Sequence, residues 1–435
     1  MIERRSVDAL IVGGGPAGLA AAVGLWNNGI HDILIVEREK HLGGILRQCI
    51  HDGFGLTQFG MTLSGPEYAR KYIDDVVRMG IPFITNTTVL SVSPSRIVTV
   101  ASPDGMIRYE AKAVILTMGC RERTRGALAI PGERPTGVFT AGVAQAYINL
   151  YNRMPAREVI ILGSGDIGMI MARRLTLEGA HVQAVFEVMP YPAGLPRNVE
   201  QCLNDYNIPL YLSHTATKIH GSDRLTGVTI SEVDADLKPI PGTEKEYSCD
   251  TLILSVGLIP ENELSLEAGV KLDPRTRGAY VDEHYMTNID GIFAAGNVLH
   301  VHDLVDYVSL EAERLSAYAA SYIKDGSLPP CPLPVECGEN VGHVLPQRIS
   351  GTSDVQISLR VRQPLQNCRI VVMQDDREVF TRRMRKAIPA EMIQLNIPAS
   401  KLSSQGGLTV MAVCENMNEN KELPVSKSES DLDNQ

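Results

Sequence analysis

The chain has 435 residues, enough for two or three domains rather than one. It is 44% hydrophobic and 21% charged, ordinary for a soluble globular protein, and its 5% aromatic content leaves Ile, Leu, Val and Ala to build the cores. Acidic residues outnumber basic ones 51 to 41, a formal charge of −10, which gives no electrostatic case for nucleic acid or an anionic membrane as a partner.

In chain order, the segment 7–18, VDALIVGGGPAG, predicts a strand and a glycine-rich turn, followed by a helix over LAAAVGLWNNG and a second strand, DILIVE. A helix is predicted over SGPEYARKYIDDVVRMG, with Ser64 and Glu67 as a capping box and Gly80 as its stop. Short β pieces follow at 88–92, which contains Val89, and at 97–101 and 113–117. The segment 158–168, EVIILGSGDIG, then repeats the first design, with a helix over MIMARRLTLEG and a strand AHVQAVFE. More β pieces are expected at 225–233 and 251–255, and a long helix at 304–324. The proline-dense LPPCPLPVE marks a linker. Alternating patterns such as VQISLRV and LTVMAVC predict a small β-rich domain beyond it, and the polar residues 416–435 predict a disordered tail.

The fold class is therefore α/β: two Rossmann-like dinucleotide-binding domains, the second inserted in the first, plus the C-terminal β-rich domain. The boundaries fall at 1–120 with 258–328, at 121–257, and at 329–415. No apolar run is long enough to span a bilayer, no signal-peptide pattern is present, and the eight cysteines form no CxxC. A cytoplasmic protein with reduced thiols is the expectation.

Gly13, Gly15 and Gly18 have the spacing that lets a turn tighten, a backbone approach a pyrophosphate, and a helix pack on its strand; Pro16 and Ala17 open that helix. Glu37 ends the next strand, where it can accept bonds from a ribose diol, and Arg38 follows it. Gly163, Gly165, Asp166, Ile167 and Gly168 repeat the pattern, and Glu187 ends the corresponding strand. An acid there repels a 2′-phosphate and favours NAD(H) over NADP(H), while Asp166 reads as a turn residue. VILTMG and LILSVG each close a strand in Thr/Ser-x-Gly, bringing in Thr117, Gly119 and Gly257. GIFAAGN, with Gly296 and Asn297, leads to the long helix that begins near Val305 and Asp306.

With these motifs in place, residues 5–325 resemble the two-dinucleotide-binding-domain flavoproteins, the glutathione reductase and thioredoxin reductase superfamily. The resemblance implies FAD on the first unit, with Gly43, Gly44, Ile45 and Leu46 beside it, and the nicotinamide nucleotide on the second. That family usually has Asp where this chain has Asn297, on the FAD ribityl chain. GILRQCIHDGFGL, TGVFTAGVAQAYIN and GNVLHVHDLVD are similar to the FAD/NAD oxidoreductase subunits found with anaerobic glycerol-3-phosphate dehydrogenases. They are more loosely similar to the α subunits of opine, proline and sarcosine oxidising complexes. This implies a partner dehydrogenase or iron–sulfur subunit. Homo-oligomerisation is left open.

In the disulfide reductases of that superfamily, two cysteines follow the glycine pair at offsets that fall here on Leu46 and His51, so a dithiol relay is excluded. Cys49 lies between them. It is a single redox thiol or a packing residue, and His51 is a candidate for proton supply at the flavin edge. Asp303 is expected to cap the long helix and Asp306 to tune the flavin potential. His300 and His302 have a spacing that fits no usual metal site. Cys120 is expected near the junction of the two units. The resulting expectation is an FAD enzyme exchanging hydride with NAD(H) and electrons with a partner. The alternatives are a stand-alone NADH oxidase or small-acceptor reductase, and a non-catalytic nucleotide-binding subunit.

Overall fold

The computed structural model describes residues 3–414, so the tail expected at 416–435 lies outside the described residues. The first sheet has seven strands. Phe83–Ile84, Ile33–Val36, Glu3–Val12, Gly105–Leu116 and Ile292–Ala294 run parallel, the last beside the second half of Gly105–Leu116. Ile97–Ser102 and Thr88–Val92 extend the sheet antiparallel from the first half of Gly105–Leu116. That strand is much longer than the sequence pattern at 113–117 predicts. Its burial runs from alternating to continuous along its length, because one half forms a solvent-facing hairpin and the other sits in the parallel centre.

The helices Pro16–Asn27, Gly65–Met79 and Val305–Asp325 share one core against this sheet. The capping box forms as predicted, with the Ser64 N–H donating to Glu67 Oε2 at 2.8 Å. Gly24 is where the first helix meets the last: a Cβ there would lie 2.1 Å from Ser316 Oγ.

The second sheet is wholly parallel, in the order Leu210–Leu212, His181–Glu187, Glu158–Leu162, Thr251–Leu254, Val138–Thr140. Its central strands are buried on both faces and read as unbroken apolar runs, as parallel strands must. The three-stranded antiparallel sheet His214–His220, Gly227–Glu232, Lys245–Ser248 covers one side. The chain crosses between the two units through a two-stranded antiparallel ribbon, Cys120–Glu122 with Leu258–Pro260. Cys120 thus sits at the junction, as expected.

Beyond the linker, a five-stranded and a three-stranded sheet enclose a separate apolar core that runs from Leu333 to Ala412. Strands such as Leu408–Cys414 alternate buried and part-exposed side chains. This is the β-rich domain of the sequence reading.

The helix crossing at Gly24 leaves no room for a side chain. Gly24→Val is expected to destabilise the first unit by about 1–3 kcal/mol and to lower the thermal midpoint of the purified protein, which differential scanning calorimetry would record.

Candidate functional site

Both glycine turns are built on one steric rule. Gly13 has φ +107° and Gly163 φ +95°; a Cβ would lie 2.6 Å from the Thr117 carbonyl oxygen in the first case and 2.0 Å from that of Ser255 in the second. The two strand ends carrying Thr/Ser-x-Gly therefore press on the turns. The Thr117 hydroxyl donates to the Val12 carbonyl at 2.8 Å, and Gly168 N–H donates to Ser255 Oγ at 3.0 Å. Gly18 and Gly168 are held against Gly13, Thr117 and Ser255 so closely that no side chain fits.

A cavity of about 2270 Å³ runs between the two units. From the first unit its wall takes Gly13, Gly15, Pro16, Ala17, Glu37, Arg38, Gly44, Ile45, Leu46, Val89, Thr117 and Gly119, with Asn297 and Val305 from the returning chain. A Cβ on Gly44 would stand 3.0 Å from Gly15 Cα, so the two backbones face each other closely with no side chain between them. Glu37 accepts the Gly14 N–H at 2.7 Å and the Glu39 N–H at 2.8 Å and still reaches the wall. Open helix start, bare backbone and terminal acid fit a dinucleotide pyrophosphate and ribose. Gly18 and Gly43 are close behind this wall, where they permit the packing rather than line it.

The second turn is placed differently. Only Asp166 and Ile167 of its predicted residues reach the cavity; Gly163, Gly165, Gly168, Glu187 and Gly257 do not. Glu187 is a correction to the sequence reading. It is 4% exposed, and its carboxylate accepts Ser164 N–H, Ser164 Oγ–H and Met189 N–H at 2.8, 2.7 and 3.0 Å. The acid holds its own turn and presents no free carboxylate to the cavity. Asp166 accepts Leu195 N–H and Asn198 Nδ2–H at 2.7 and 2.6 Å, tying the following loop to the helix start. That loop brings Arg197 to the wall, where Arg173 joins it. Neither arginine was singled out in the sequence, since nothing local marks them.

Between the units lies the segment from Gly44 to Phe59. Gly44–Gln48 is a 3₁₀ turn, and Gln48 Nε2 donates to the Gly142 carbonyl at 2.8 Å and to Gln145 Oε1 at 3.1 Å, linking the units. The Cys49 thiol contacts the Ile45 carbonyl at 3.4 Å and Gln145 Oε1 at 3.7 Å. Burial pushes its pKa up to about 12, so it stays a neutral thiol rather than a nucleophile. Cys120, also on the wall, is pushed up to about 11 by burial. His51 packs at a tilt against Phe54, with ring centroids 5.0 Å apart; burial lowers its pKa, with Asp52, Arg197 and Arg173 as smaller influences.

Two further expectations are corrected. Asp303 does not cap the long helix, whose first turn follows Leu304; it accepts from Arg360 of the C-terminal domain at 3.0 Å. Asp306 does not line the cavity, because its carboxylate accepts the N–H groups of Gly55 and Thr57, both at 2.9 Å, and shapes the segment that does. Gly296 serves the same frame, its N–H donating to Glu311 Oε1 at 2.7 Å. Asn297 Oδ1 accepts the His302 N–H at 3.0 Å. From His302 a buried chain continues to Glu311 Oε2 at 3.4 Å and on to His300 Nε2 at 2.9 Å. His300 faces His343 of the C-terminal domain, ring to ring at 5.9 Å. Burial lowers His300 to about 4, helped by His302, and lowers His343 to about 3.

The sequence profile of the pyridine nucleotide-disulphide oxidoreductase family matches residues 7–316. The hydrogen cyanide synthase protein HcnB of Pseudomonas protegens, a subunit of that enzyme, is 25% identical over 68% of this chain and 65% of its own length. One of the subunits of the opine oxidase of Agrobacterium tumefaciens is 26% identical, over 67% of this chain and 61% of that one. The chain thus spans less than two thirds of the length of these relatives. The solved thioredoxin reductase of T. acidophilum superposes with a TM-score of 0.60 at 24% identity, covering 73% of this chain and 98% of that one, and carries the fold.

Two outcomes follow from the electrostatics. At pH 7 iodoacetamide should label Cys49 on the order of 10³ times more slowly than an ordinary exposed thiol, as peptide mass spectrometry over time would show. His300 is neutral in the fold at a pH where the unfolded chain binds its proton. Stability is therefore complete above about 6.5 and declines as pH falls toward about 4. The loss should be about 3 kcal/mol for this group, and His300→Gln should flatten that slope in thermal melts across the window.

Proposed function

The chain belongs to the pyridine nucleotide-disulphide oxidoreductase family, and on that premise we propose that it is an FAD-dependent oxidoreductase that moves hydride between NAD(H) and FAD. The electrons would be exchanged with a partner, either a dehydrogenase subunit of the glycerol-3-phosphate or amino/opine-acid type or an iron–sulfur protein, without a redox disulfide. The observation that carries this reading is one cavity walled by both helix starts, whose three thiols, Cys49, Cys120 and Cys202, are all shifted by burial toward the protonated form. A disulfide relay needs a thiolate with a second sulfur in reach.

When bound, FAD supplies the two-electron chemistry, taking up or giving up a hydride at its ring system. The chain's part is placement. The backbone N–H groups of Gly15 and Ala17, on either side of Pro16, would take the pyrophosphate, and Glu37 the ribose hydroxyls. Ile45, Leu46 and the Cys49 side chain would form an apolar floor that excludes water. Asn297, braced by His302, would bond the ribityl chain. Asp166, Ile167 and Arg197 would bound the nicotinamide nucleotide from the other side. His51, kept neutral by burial, would carry a proton on a ring nitrogen at the flavin edge.

The partner assignment is supported by the relatives, two of which are named as subunits of larger enzymes. A second reading is favoured by one observation: Glu187 is spent within its own turn, so the second unit would hold a nucleotide for structure or regulation alone.

Anaerobic rapid mixing of the purified protein with NADH, and separately with NADPH, distinguishes these. The expected result is fast bleaching of the flavin band by NADH, little turnover with oxygen, and the same bleaching rate within about twofold in Cys49→Ser. Bleaching by neither nucleotide would overturn the hydride-transfer proposal in favour of the second reading.

A further inference from the structure

Away from the cavity, three side chains of different chemistry converge where the linker meets the first unit. The turn Asp282–His284 supplies a carboxylate and an imidazole, and Cys331, just before the strand Leu333–Cys337, supplies a thiol. Cys331 Sγ is 3.6 Å and Asp282 Oδ2 3.7 Å from the same atom, His284 Nδ1, and all three donors lie within 4.8 Å of one another. None of the three lines the cavity.

These separations match donors spaced around one tetrahedral ion, although the Cys331–His284 contact taken alone is also within reach of a thiol hydrogen bond. Bonds of about 2.0 Å to nitrogen or oxygen and about 2.3 Å to sulfur, set at tetrahedral angles, hold neighbouring donors about 3.3–3.6 Å apart. A simple ion pair does not account for them. An imidazolium held by a carboxylate would draw the oxygen to about 2.8 Å, yet Asp282 stands off at 3.7 Å. The stand-off is built in: Asp282 Oδ1 accepts the His284 and Met286 N–H groups at 2.9 and 3.1 Å, which aims Oδ2 at the convergence point.

A second observation points the same way. Glu283 is buried, and its Oε1 has no hydrogen-bond partner among the described residues although it lies 3.7 Å from His284 Nε2. A buried carboxylate oxygen left unpaired is costly. Glu283 Oε1 is the carboxylate oxygen nearest Nε2, and its charge favours the tautomer that keeps the proton on Nε2 and leaves Nδ1 free for the metal.

We propose that Asp282, His284 and Cys331 form a three-ligand zinc site, with water completing the tetrahedron and Glu283 beside the histidine. The mixed sulfur, nitrogen and oxygen donors suit zinc rather than magnesium or calcium. Coordination takes the metal onto Sγ, and the thiol proton leaves to solvent, so binding tightens as pH rises. The site also has a mechanical place. The same turn docks the C-terminal domain: Val281 exchanges bonds with Gln347, and Glu283 Oε2 accepts the Ser350 N–H at 3.1 Å. Zinc would staple the linker onto that seam.

The test uses the full-length protein with its flavin. After chelator treatment it is titrated with Zn²⁺, with metal content read by mass spectrometry, and separately with Co²⁺, whose thiolate charge-transfer band reports sulfur coordination. The expected result is one equivalent of zinc and a cobalt–thiolate band in the unaltered protein. Cys331→Ser should lose the band and weaken zinc binding by at least about 100-fold, and Glu283→Gln should weaken it by about 10–100-fold. Flavin content in each variant verifies the fold. No zinc uptake, a cobalt spectrum without the thiolate band, or undiminished zinc in Cys331→Ser would overturn the assignment, the last by placing the metal elsewhere. Should Cys331→Ser fail to fold, the cobalt spectrum of the unaltered protein decides.

Discussion

Two carbonyl oxygens, those of Thr117 and Ser255, sit where a side chain on Gly13 and Gly163 would have to be. This contact sets the spacing between each central strand and its glycine turn, and so the depth at which each following helix begins. The helix starts, in turn, fix where unpaired N–H groups face outward. Everything the cavity offers to a nucleotide phosphate depends on that approach of backbone to backbone.

The two turns nevertheless serve different ends. Each ends its second strand in a glutamate that bonds back to the turn, but Glu37 also reaches the cavity while Glu187 is sealed by its own loop. The same acid in the same position can therefore line the cavity or be sealed behind its turn, according to how the chain beyond it runs. Around the rest of the wall, burial holds the thiols protonated and lowers the pKa of the His51 imidazole, an environment unsuited to attack by a sulfur nucleophile.

Much of this was legible from residue order. The glycine spacings, the unbroken apolar strands, the capping box at Ser64 and the alternating strands after the linker all report local geometry, and local geometry is what a linear pattern encodes. Partners far apart in the chain were not legible. Asp303 and Asp306 read as a cap and a flavin neighbour because they precede a helix. Their real partners, Arg360 and the N–H groups of Gly55 and Thr57, come from distant parts of the chain. The pairing of Gln48 with Gln145 and the convergence of Cys331 on His284 were hidden for the same reason. Cys49 was ambiguous until its burial was known, since the same residue in an open, electropositive setting would ionise.

The ribbon of Cys120–Glu122 and Leu258–Pro260 has a consequence for how the halves can shift. The chain leaves and re-enters the second unit side by side, in two strands of three residues each. Paired crossings of that kind resist shear but yield to torsion about their common axis. Torsion about that axis is opposed by the bonds from the Gln48 turn to the second unit, with Gly142, Gln145 and Asn149, which act as a catch on a pivot.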